Sequence, residues 1–389
     1  MIVSPLGVHS PRAVQEALRA RGWDPALASD AAGGMLPAAF VVSGLTSEAL
    51  EALVPLAARA GLELVTGPDW AVLSGSRSRL GSLARPWQMP EPLQEFAEQL
   101  GRALPAAPAD RWRTRRGDVT LDAPVILGIL NITPDSFSDG GQHTDPAAAL
   151  AQADRLIADG AAIIDVGGES TRPGAASVPE EEERRRVIPV IEALSRAHPG
   201  LVITVDTVKA TVAEAAFAAG AAAVNDVSAF RLDPAMPSVI ARAGGGVILM
   251  HSRGTVSEMA SYQHADYGDD IVATVVAELA AAIEVGVAAG IPLDAIAIDP
   301  GFGFSKRIDA NILLFDQLSA LAALGRPILV GPSRKRFLGA ISGAEVGDRD
   351  RITAAACALA YERGARLFRV HQPAYTREAL ALAHALGGS

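Results

Sequence analysis

Cysteine is almost absent from this chain. Cys357 is the single one in 389 residues, which excludes an intrachain disulfide framework and a cysteine-rich zinc site. It lies in Ala354-Ala355-Ala356-Cys357-Ala358-Leu359, an apolar helical stretch where it reads as a small core residue. Long charge-free apolar runs are also lacking. A membrane-spanning helix needs about twenty apolar residues, and the best candidate, near 271–291, is interrupted by Glu278 and Glu284. The opening residues Met1-Ile2-Val3-Ser4-Pro5 hold no basic stretch followed by an apolar run, so no signal peptide and a cytoplasmic protein are expected. Basic excess is missing as well. Lys and Arg total 34 against 44 Asp and Glu, a net charge of −10, which leaves no electrostatic footprint for nucleic acid or a membrane surface.

Lysine is scarce. Only Lys209, Lys306 and Lys335 occur, against 31 arginines. A compact ammonium and a planar guanidinium are not interchangeable, so a lysine kept under such a bias marks a place where arginine will not serve. What is present is the balance of a globular chain, with 49% hydrophobic and 20% charged residues and a length that suits one large domain plus a smaller one.

From about 125 onward one unit repeats: a short β-branched run, a polar loop and an alanine-rich amphipathic helix. The expected strands are 125–133, 163–167, 201–207, 223–228, 247–251, 295–299, 327–331 and 367–371, with clear helices at 146–159, 180–198, 270–289 and 375–386. The strands are nearly continuous apolar runs, as expected where both faces are buried. Ser177-Val178-Pro179-Glu180 reads as a capping box. Eight β/α units in about 260 residues match the (β/α)8 TIM barrel, an α/β fold. A doubly wound open sheet is the alternative, but no Gly-x-Gly-x-x-Gly turn follows a first strand.

Residues 1–110 are expected to form an additional small N-terminal α/β domain, and 111–389 the barrel. Strands are expected at 38–43, 62–66 and 70–74, and helices at 47–60 and 78–84. Pro86, Pro90, Pro105 and Pro108 read as a linker, and 113–121 as a hairpin that plugs the barrel bottom. The N-terminal part carries no recognisable chemistry.

In a TIM barrel the active site lies at the C-terminal ends of the strands. Those ends are polar in all eight cases: Asn131 through Asp135, Asp165 through Arg172, Asp206, Asn225-Asp226, His251, Asp299, Ser333-Arg334-Lys335, and Arg369-Val370-His371. One such residue is most simply a turn former or a helix cap. Eight together make sense when a polar ligand fills the mouth, because buried polar groups are costly unless satisfied. Asp206, Asn225 and Asp299 suit a flat heterocycle with an amino-pyrimidinone edge. Asn131, Arg369 and His371 suit an anion, and the last two share one strand face. Two polar loops, 133–145 and 167–177, exceed the usual βα length and read as lids.

These residues resemble a known family. The run from Gly128 through Asn131-Ile132-Thr133-Pro134-Asp135-Ser136-Phe137-Ser138-Asp139 to Gly141 is similar to the first signature of the dihydropteroate synthases. Asp165-Val166-Gly167-Gly168-Glu169-Ser170-Thr171-Arg172-Pro173-Gly174 is similar to the second. Asp299-Pro300-Gly301-Phe302-Gly303-Phe304, Ser333-Arg334-Lys335 and Arg369-Val370-His371 complete the set in order over about 115–386.

The resemblance implies a transferase of folate synthesis that condenses 6-hydroxymethyl-7,8-dihydropterin pyrophosphate with p-aminobenzoate. It places the pterin against Asp206, Asn225, Asp299 and Lys335, with Met250 and Arg369 packing on the ring. Pyrophosphate falls to Asn131, Arg369 and His371, and a Mg²⁺ cofactor to Asn131 and Asp135. The p-aminobenzoate site falls to Phe137, Thr171, Arg172, Pro173, Phe304 and Ser333. Asp135, Arg172, Lys335, Arg369 and His371 are the implied catalytic set, whereas Lys306 and Lys209 read as solvated loop cations. A homodimer is implied through helices around 351–364 and 375–386.

The rivals are a methyltetrahydrofolate-dependent methyltransferase, which does not need the first-loop signature or Ser333-Arg334-Lys335, and a non-catalytic pterin-binding paralogue, which should carry lesions in the loops. A fused pterin pyrophosphokinase has no nucleotide-binding motif to support it.

Overall fold

The computed structural model describes residues 24, 37–104, 109–132, 146–170, 177–268 and 270–386. These fall into two compact units, divided between 106 and 107.

The first unit holds strand β1 (Pro37–Ser43), helix α1 (Ser47–Ala60), strands β2 (Glu63–Thr66) and β3 (Trp70–Ser76), and helices α2 (Arg77–Leu83) and α3 (Gln94–Ala103). The strands form an antiparallel sheet in the order β1-β3-β2. Local signals place α1: the Thr46 hydroxyl accepts the Ala49 N–H at 3.1 Å, and Gly61 takes the left-handed conformation (φ 67°) that ends the helix. Leu53, Leu73, Leu80 and Leu93 are fully buried in this unit's core. One sequence expectation fails here. Pro86 and Pro90 are not linker: they start two short 3-10 turns that lead into α3, whose Phe96 and Leu100 join the core. Proline is tolerated in a first turn because its missing N–H has no intrahelical partner there. Pro105 and Pro108 lie outside the described residues.

The second unit opens with a hairpin, β4 (Arg111–Thr114) and β5 (Gly117–Thr120). Eight parallel strands follow: β6 (Val125–Asn131), β7 (Ile163–Gly167), β8 (Val202–Asp206), β9 (Ala223–Asp226), β10 (Gly246–Met250), β11 (Ile296–Asp299), β12 (Ile328–Val330) and β13 (Ala365–Val370). They close into a barrel in chain order, with β13 pairing β6. Closure removes the open-sheet alternative. Around it pack α4 (Pro146–Ala158), α5 (Glu180–Ala197), α6 (Ala210–Ala219), α7 (Met236–Ala243), α8 (Ile271–Ala288), α9 (Ile308–Asp316), α10 (Arg336–Ser342), α11 (Asp350–Glu362) and α12 (Pro373–Ala385). Among the described residues α8 alone is long and apolar enough to cross a membrane, by length and composition only. Here its Ile271, Val275 and Leu279 pack into the barrel core.

Period-two alternation along each strand sorts the barrel interior into layers. The lowest is apolar: Leu127, Ile163, Ala223, Ile248, Ala297, Leu329 and Leu367 form one buried cluster, with Val202 against it. Two residues further along each strand the same face carries Asp165, Thr204, Asn225, Met250, Asp299 and Arg369. The floor is sealed by the β4–β5 hairpin. Trp112 is fully buried in the lowest layer, and its indole N–H donates to Ala295 O at 3.0 Å.

The capping box is not formed. Helix α5 starts at Glu180 with Pro179 at its N-cap and no side-chain cap bond. The Val178 N–H, just before the helix, donates to the Glu169 carboxylate, and the four consecutive glutamates 180–183 complement the helix dipole. For Trp112→Ala we expect a loss of about 3–5 kcal/mol in unfolding free energy, read from denaturant unfolding, because a large floor cavity replaces a fully buried indole. A loss under about 1 kcal/mol would mean the hairpin is not part of the barrel core.

Candidate active site

The site grows out of one buried carboxylate. Asp165 sits in the middle of β7 with no solvent exposure. Its Oδ2 accepts Arg369 Nε at 2.5 Å and Asn225 Nδ2 at 3.1 Å, while Oδ1 accepts the Thr204 hydroxyl. Arg369 then reaches Asp206 Oδ2 through Nη2 at 2.7 Å. Four strands are tied by this network: β7, β8, β9 and β13. A charge this deep is tolerable only when it is paired and its lone pairs are satisfied, and here both conditions hold. Two nitrogens of Arg369 are used, so Nη1 and the second Nη2 proton remain for another acceptor.

Above this layer the fields compete. Burial pushes the Asp206 carboxyl up to about 7, against the pull of Arg369 and with the neighbouring Asp165 charge adding to the rise. Burial likewise raises Asp299 to about 6, although its Oδ1 accepts the Gly301 N–H at 2.7 Å. Lys335 is brought down to about 7 by desolvation and by Arg369. Its ammonium stands 3.5 Å from the centre of the Phe304 ring, a cation–π contact at the edge of a buried apolar cluster of Met250, Met259, Val208 and Val227. Two carboxyls and an amine poised near neutral pH around one cavity mouth are what a site built for proton-donating and proton-accepting ring edges requires.

The loop after β11 is shaped by backbone demands. Gly301 has φ +70°, and a Cβ there would meet His251 O at 2.0 Å. Gly303 has φ +79°, and a Cβ would press on Lys335 Cδ at 2.8 Å. Both positions therefore need glycine. Lys306 holds this loop down. It is 1% exposed and its ammonium donates to His251 O (3.3 Å), Gly301 O (3.1 Å) and Phe304 O (3.1 Å). Three converging carbonyls suit a tetrahedral ammonium and not a planar fork.

The reading of Lys306 as a solvated cation is thus overturned, and so is that of Lys209, which lies between Glu169 and Glu183. Both lie where βα loops pack back on the barrel, so their charge is answered by main chain or carboxylate rather than by water.

Several strand-end residues face away from the mouth, as the alternation requires. Asp226 accepts the N–H groups of Ser228 and Phe230 at 2.8 Å each and caps its own loop. His251 is buried, and its Nε2 meets Glu278 of α8 at 2.8 Å; burial holds the imidazole down at about 4. Arg334 forks onto Asp350 with two 2.9 Å bonds. Its own φ is +59°, a conformation that L residues rarely adopt. Ser333 and Lys335 are left at the mouth. Ser333 Oγ meets His371 Nδ1 at 2.9 Å and accepts the His371 N–H at 3.2 Å.

Of the expected site residues, Asp206, Asn225, Met250, Asp299, Phe304, Ser333, Lys335, Arg369 and His371 come to this one end of the barrel, and Asn131 closes β6 beside them, its Oδ1 3.6 Å from where a Gly167 Cβ would stand. Asp135, Phe137, Thr171, Arg172 and Pro173 lie outside the described residues. Asp165, counted in the sequence among the polar strand ends, was given no role there. Its signal was a carboxylate inside an apolar strand, two positions below the strand end and so on the same face. No cluster of three or more His, Cys, Asp or Glu able to hold a metal exists among the described residues.

Comparison with known proteins decides the family. A family model described as pterin binding enzyme matches residues 127–371. The chain belongs to the pterin-binding enzyme family. The dihydropteroate synthase of Mycobacterium leprae is 44% identical over 265 residues, which is 66% of this chain and 92% of that protein. That of Bacillus subtilis is 41% identical over 247 residues, 64% of this chain and 83% of that one. Among solved structures, Xanthomonas albilineans dihydropteroate synthase with 4-aminobenzoic acid aligns with a TM-score of 0.66 and 45% identity, over 72% of this chain and 98% of that chain. The same enzyme in complex with 7,8-dihydropteroate aligns with a TM-score of 0.63 and 43% identity, over 71% and 98%. Membership of the pterin-binding family rests on the barrel; the matched residues leave the first unit outside it.

The Asp299 field gives a prediction for the ligand-free protein. A carboxyl raised to about 6 in the folded state, above its ordinary value of 3.8, adds stability below that ordinary value, and the contribution is lost as pH rises through 6. Asp299→Asn keeps the acceptor for the Gly301 N–H and removes the titration. The variant should therefore raise the thermal midpoint relative to wild type at pH 8, and about half as much at pH 5. An equal effect at both values would show that Asp299 is not desolvated.

Proposed function

We propose that this chain is a transferase that condenses 6-hydroxymethyl-7,8-dihydropterin pyrophosphate with p-aminobenzoate, forming 7,8-dihydropteroate and pyrophosphate in folate synthesis. The observation that carries the proposal is the ring of Asp206, Asn225, Asp299 and Lys335 around one barrel mouth, in a chain over 40% identical to proteins named for that activity.

The pterin edge offers ring N–H and amino donors, which the carboxylates of Asp206 and Asp299 and the amide oxygen of Asn225 accept; the Asn225 amide hydrogen not given to Asp165 donates in return, as does Lys335. Met250 and the face of the Arg369 guanidinium pack on the ring. The free N–H groups of Arg369, with His371 and Asn131, receive the pyrophosphate. Carboxylates that already hold Arg369 in place keep this donor preorganised, so little reorganisation is needed as the leaving charge develops. In the step itself the methylene C–O bond breaks, with its electron pair going to pyrophosphate, and the arylamine nitrogen forms the new C–N bond. The amine then releases a proton to solvent. As a neutral nucleophile it needs no strong general base.

Mg²⁺ fits the donor set. This ion takes one or two protein oxygens and fills its octahedron with phosphate oxygens and water, and Asn131 presents an amide oxygen at the mouth. Asn131 and Asp135 would hold it, and when bound it would offset charge on the departing pyrophosphate. A homodimer is part of the proposal, supported by the exposed apolar side chains Leu359, Tyr375 and Leu382 on α11 and α12.

A coupled assay with purified protein, Mg²⁺ and both substrates tests the reading. Dihydropteroate and pyrophosphate should appear only when all components are present. Tight pterin binding without product would favour the non-catalytic paralogue, and no binding would refute a pterin ligand. Lys335→Ala should lose activity by about two orders of magnitude or more while staying folded. Near-normal turnover would remove Lys335 from the machinery.

A further inference from the structure

The turn between β11 and α9 is gripped by side chains that the mechanism above does not use. Lys306, at its far end, folds back so that its ammonium donates to Gly301 O and Phe304 O at 3.1 Å each, and to His251 O, just beyond β10, at 3.3 Å. Asn311 of α9 holds the same turn. Its Oδ1 accepts the Gly303 N–H at 2.7 Å, and its Nδ2 donates to Lys306 O at 3.0 Å and to Arg307 O at 2.7 Å. Both side chains are buried. The clamp holds the backbone in a rarely adopted conformation, since Ser305 has φ 52°. Ser305 Oγ accepts the Arg253 N–H at 2.9 Å and donates to Arg253 O at 2.8 Å. What the turn presses on is Lys335. The main chain at Gly303 lies against the Lys335 stem, where a Cβ would meet Cδ at 2.8 Å, and the Phe304 ring covers the ammonium at 3.5 Å. The turn is thus one wall of the slot in which Lys335 stands.

We propose that Lys306 and Asn311 are positioning residues for the pterin site: acting through the 301–305 turn, they hold Gly303 and Phe304 against Lys335 and so fix where its ammonium stands. The part that Lys335 plays toward the pterin rests on the activity proposed above; the clamp on the turn does not. A free lysine side chain samples many rotamers, and confining it before substrate arrives removes that ordering cost from binding. The wall also keeps water from the ammonium, and desolvation is the chief reason its amine lies down at about 7. Loss of either clamp residue leaves backbone groups of the turn without partners, so the turn must move to rehydrate them. Lys335 then becomes wetter and less fixed. The barrel does not depend on the clamp. Strand β11 stays paired to β10 and β12, and α9 stays docked through the fully buried Leu314.

The scarcity of lysine makes the test direct. The full chain labelled with ¹³C at the lysine ε-carbon gives signals from only Lys209, Lys306 and Lys335, and the Lys335 signal is the one lost in Lys335→Met. Its titration is followed by NMR, without ligand, in wild type, Lys306→Met and Asn311→Ala, alongside steady-state kinetics. Asn311→Ala leaves every charge in place, so it separates loss of the wall from loss of a neighbouring cation. The charged groups that face Lys335 are Arg369, Asp299, Asp206 and Arg336, and both variants retain all four. In both variants the Lys335 midpoint should move up by about one pH unit or more as water reaches the ammonium. The KM for the pterin pyrophosphate should rise about tenfold or more, with the circular dichroism spectrum unchanged. A shift in Lys306→Met alone would be a field effect and would overturn the proposal. So would an unchanged pterin KM in both variants. Should Lys306→Met fail to fold, Asn311→Ala decides alone. Should the wild-type protein make no dihydropteroate, the activity reading fails by itself, and the Lys335 midpoint still decides whether the clamp acts.

Discussion

The grip of Asp165 and Asp206 on Arg369 is the constraint on which the rest of the site depends. A guanidinium in the middle of a barrel is costly to desolvate, and so is each carboxylate beside it. Together, with Thr204 and Asn225 satisfying the remaining lone pairs of Asp165, they become affordable and rigid. That pairing places a fixed cation under the mouth. It also orients Asp206 and crowds the field around Lys335, whose amine is driven down partly by Arg369. The apolar floor beneath, closed by Trp112, keeps water out from below and makes every charge in the layer above count for more.

Backbone geometry supplies the second constraint. The turn after β11 passes so close to His251 that only glycine fits at 301, and Lys306 then ties three carbonyls of that region to one ammonium. Phe304, delivered by this turn, becomes the surface against which Lys335 rests. Earlier in the chain, Lys209 is held between Glu169 and Glu183, and Glu169 also accepts the Val178 N–H. All three lysines of the protein lie at this end of the barrel, each among fixed partners.

Much of this was legible in the sequence. The repeating unit gave the eight strands to within one or two residues at most ends, and the polar strand ends pointed to the mouth, because period two forces alternate residues onto one face. What the pattern could not resolve was which of two adjacent strand-end residues faces in. Asn225 faces in and Asp226 out, and Met250 in and His251 out, once the register is set. Asp165 stood among the polar strand ends but received no role, because its partners come from three other strands far away in sequence. Lys209 and Lys306 looked solvated for the same reason: loop residues were read without the elements that pack over them. The capping box failed through register, since the helix starts at Glu180 with Pro179 at its N-cap, two residues beyond where Ser177 could cap it. Helix α3 was hidden behind prolines that start turns as readily as they end helices.

A double-mutant cycle on Asp165→Asn and Arg369→Met, followed by denaturant unfolding at neutral pH, tests the central claim most directly. Arg369→Met leaves the buried Asp165 without its cation, and Asp165→Asn takes from Arg369 one of its two carboxylates, so each should be strongly destabilising, and the double variant should be less destabilised than the sum by about 3 kcal/mol or more. Additivity within about 0.5 kcal/mol would contradict the account, because it would mean the two groups do not depend on each other and the polar layer is not organised around them.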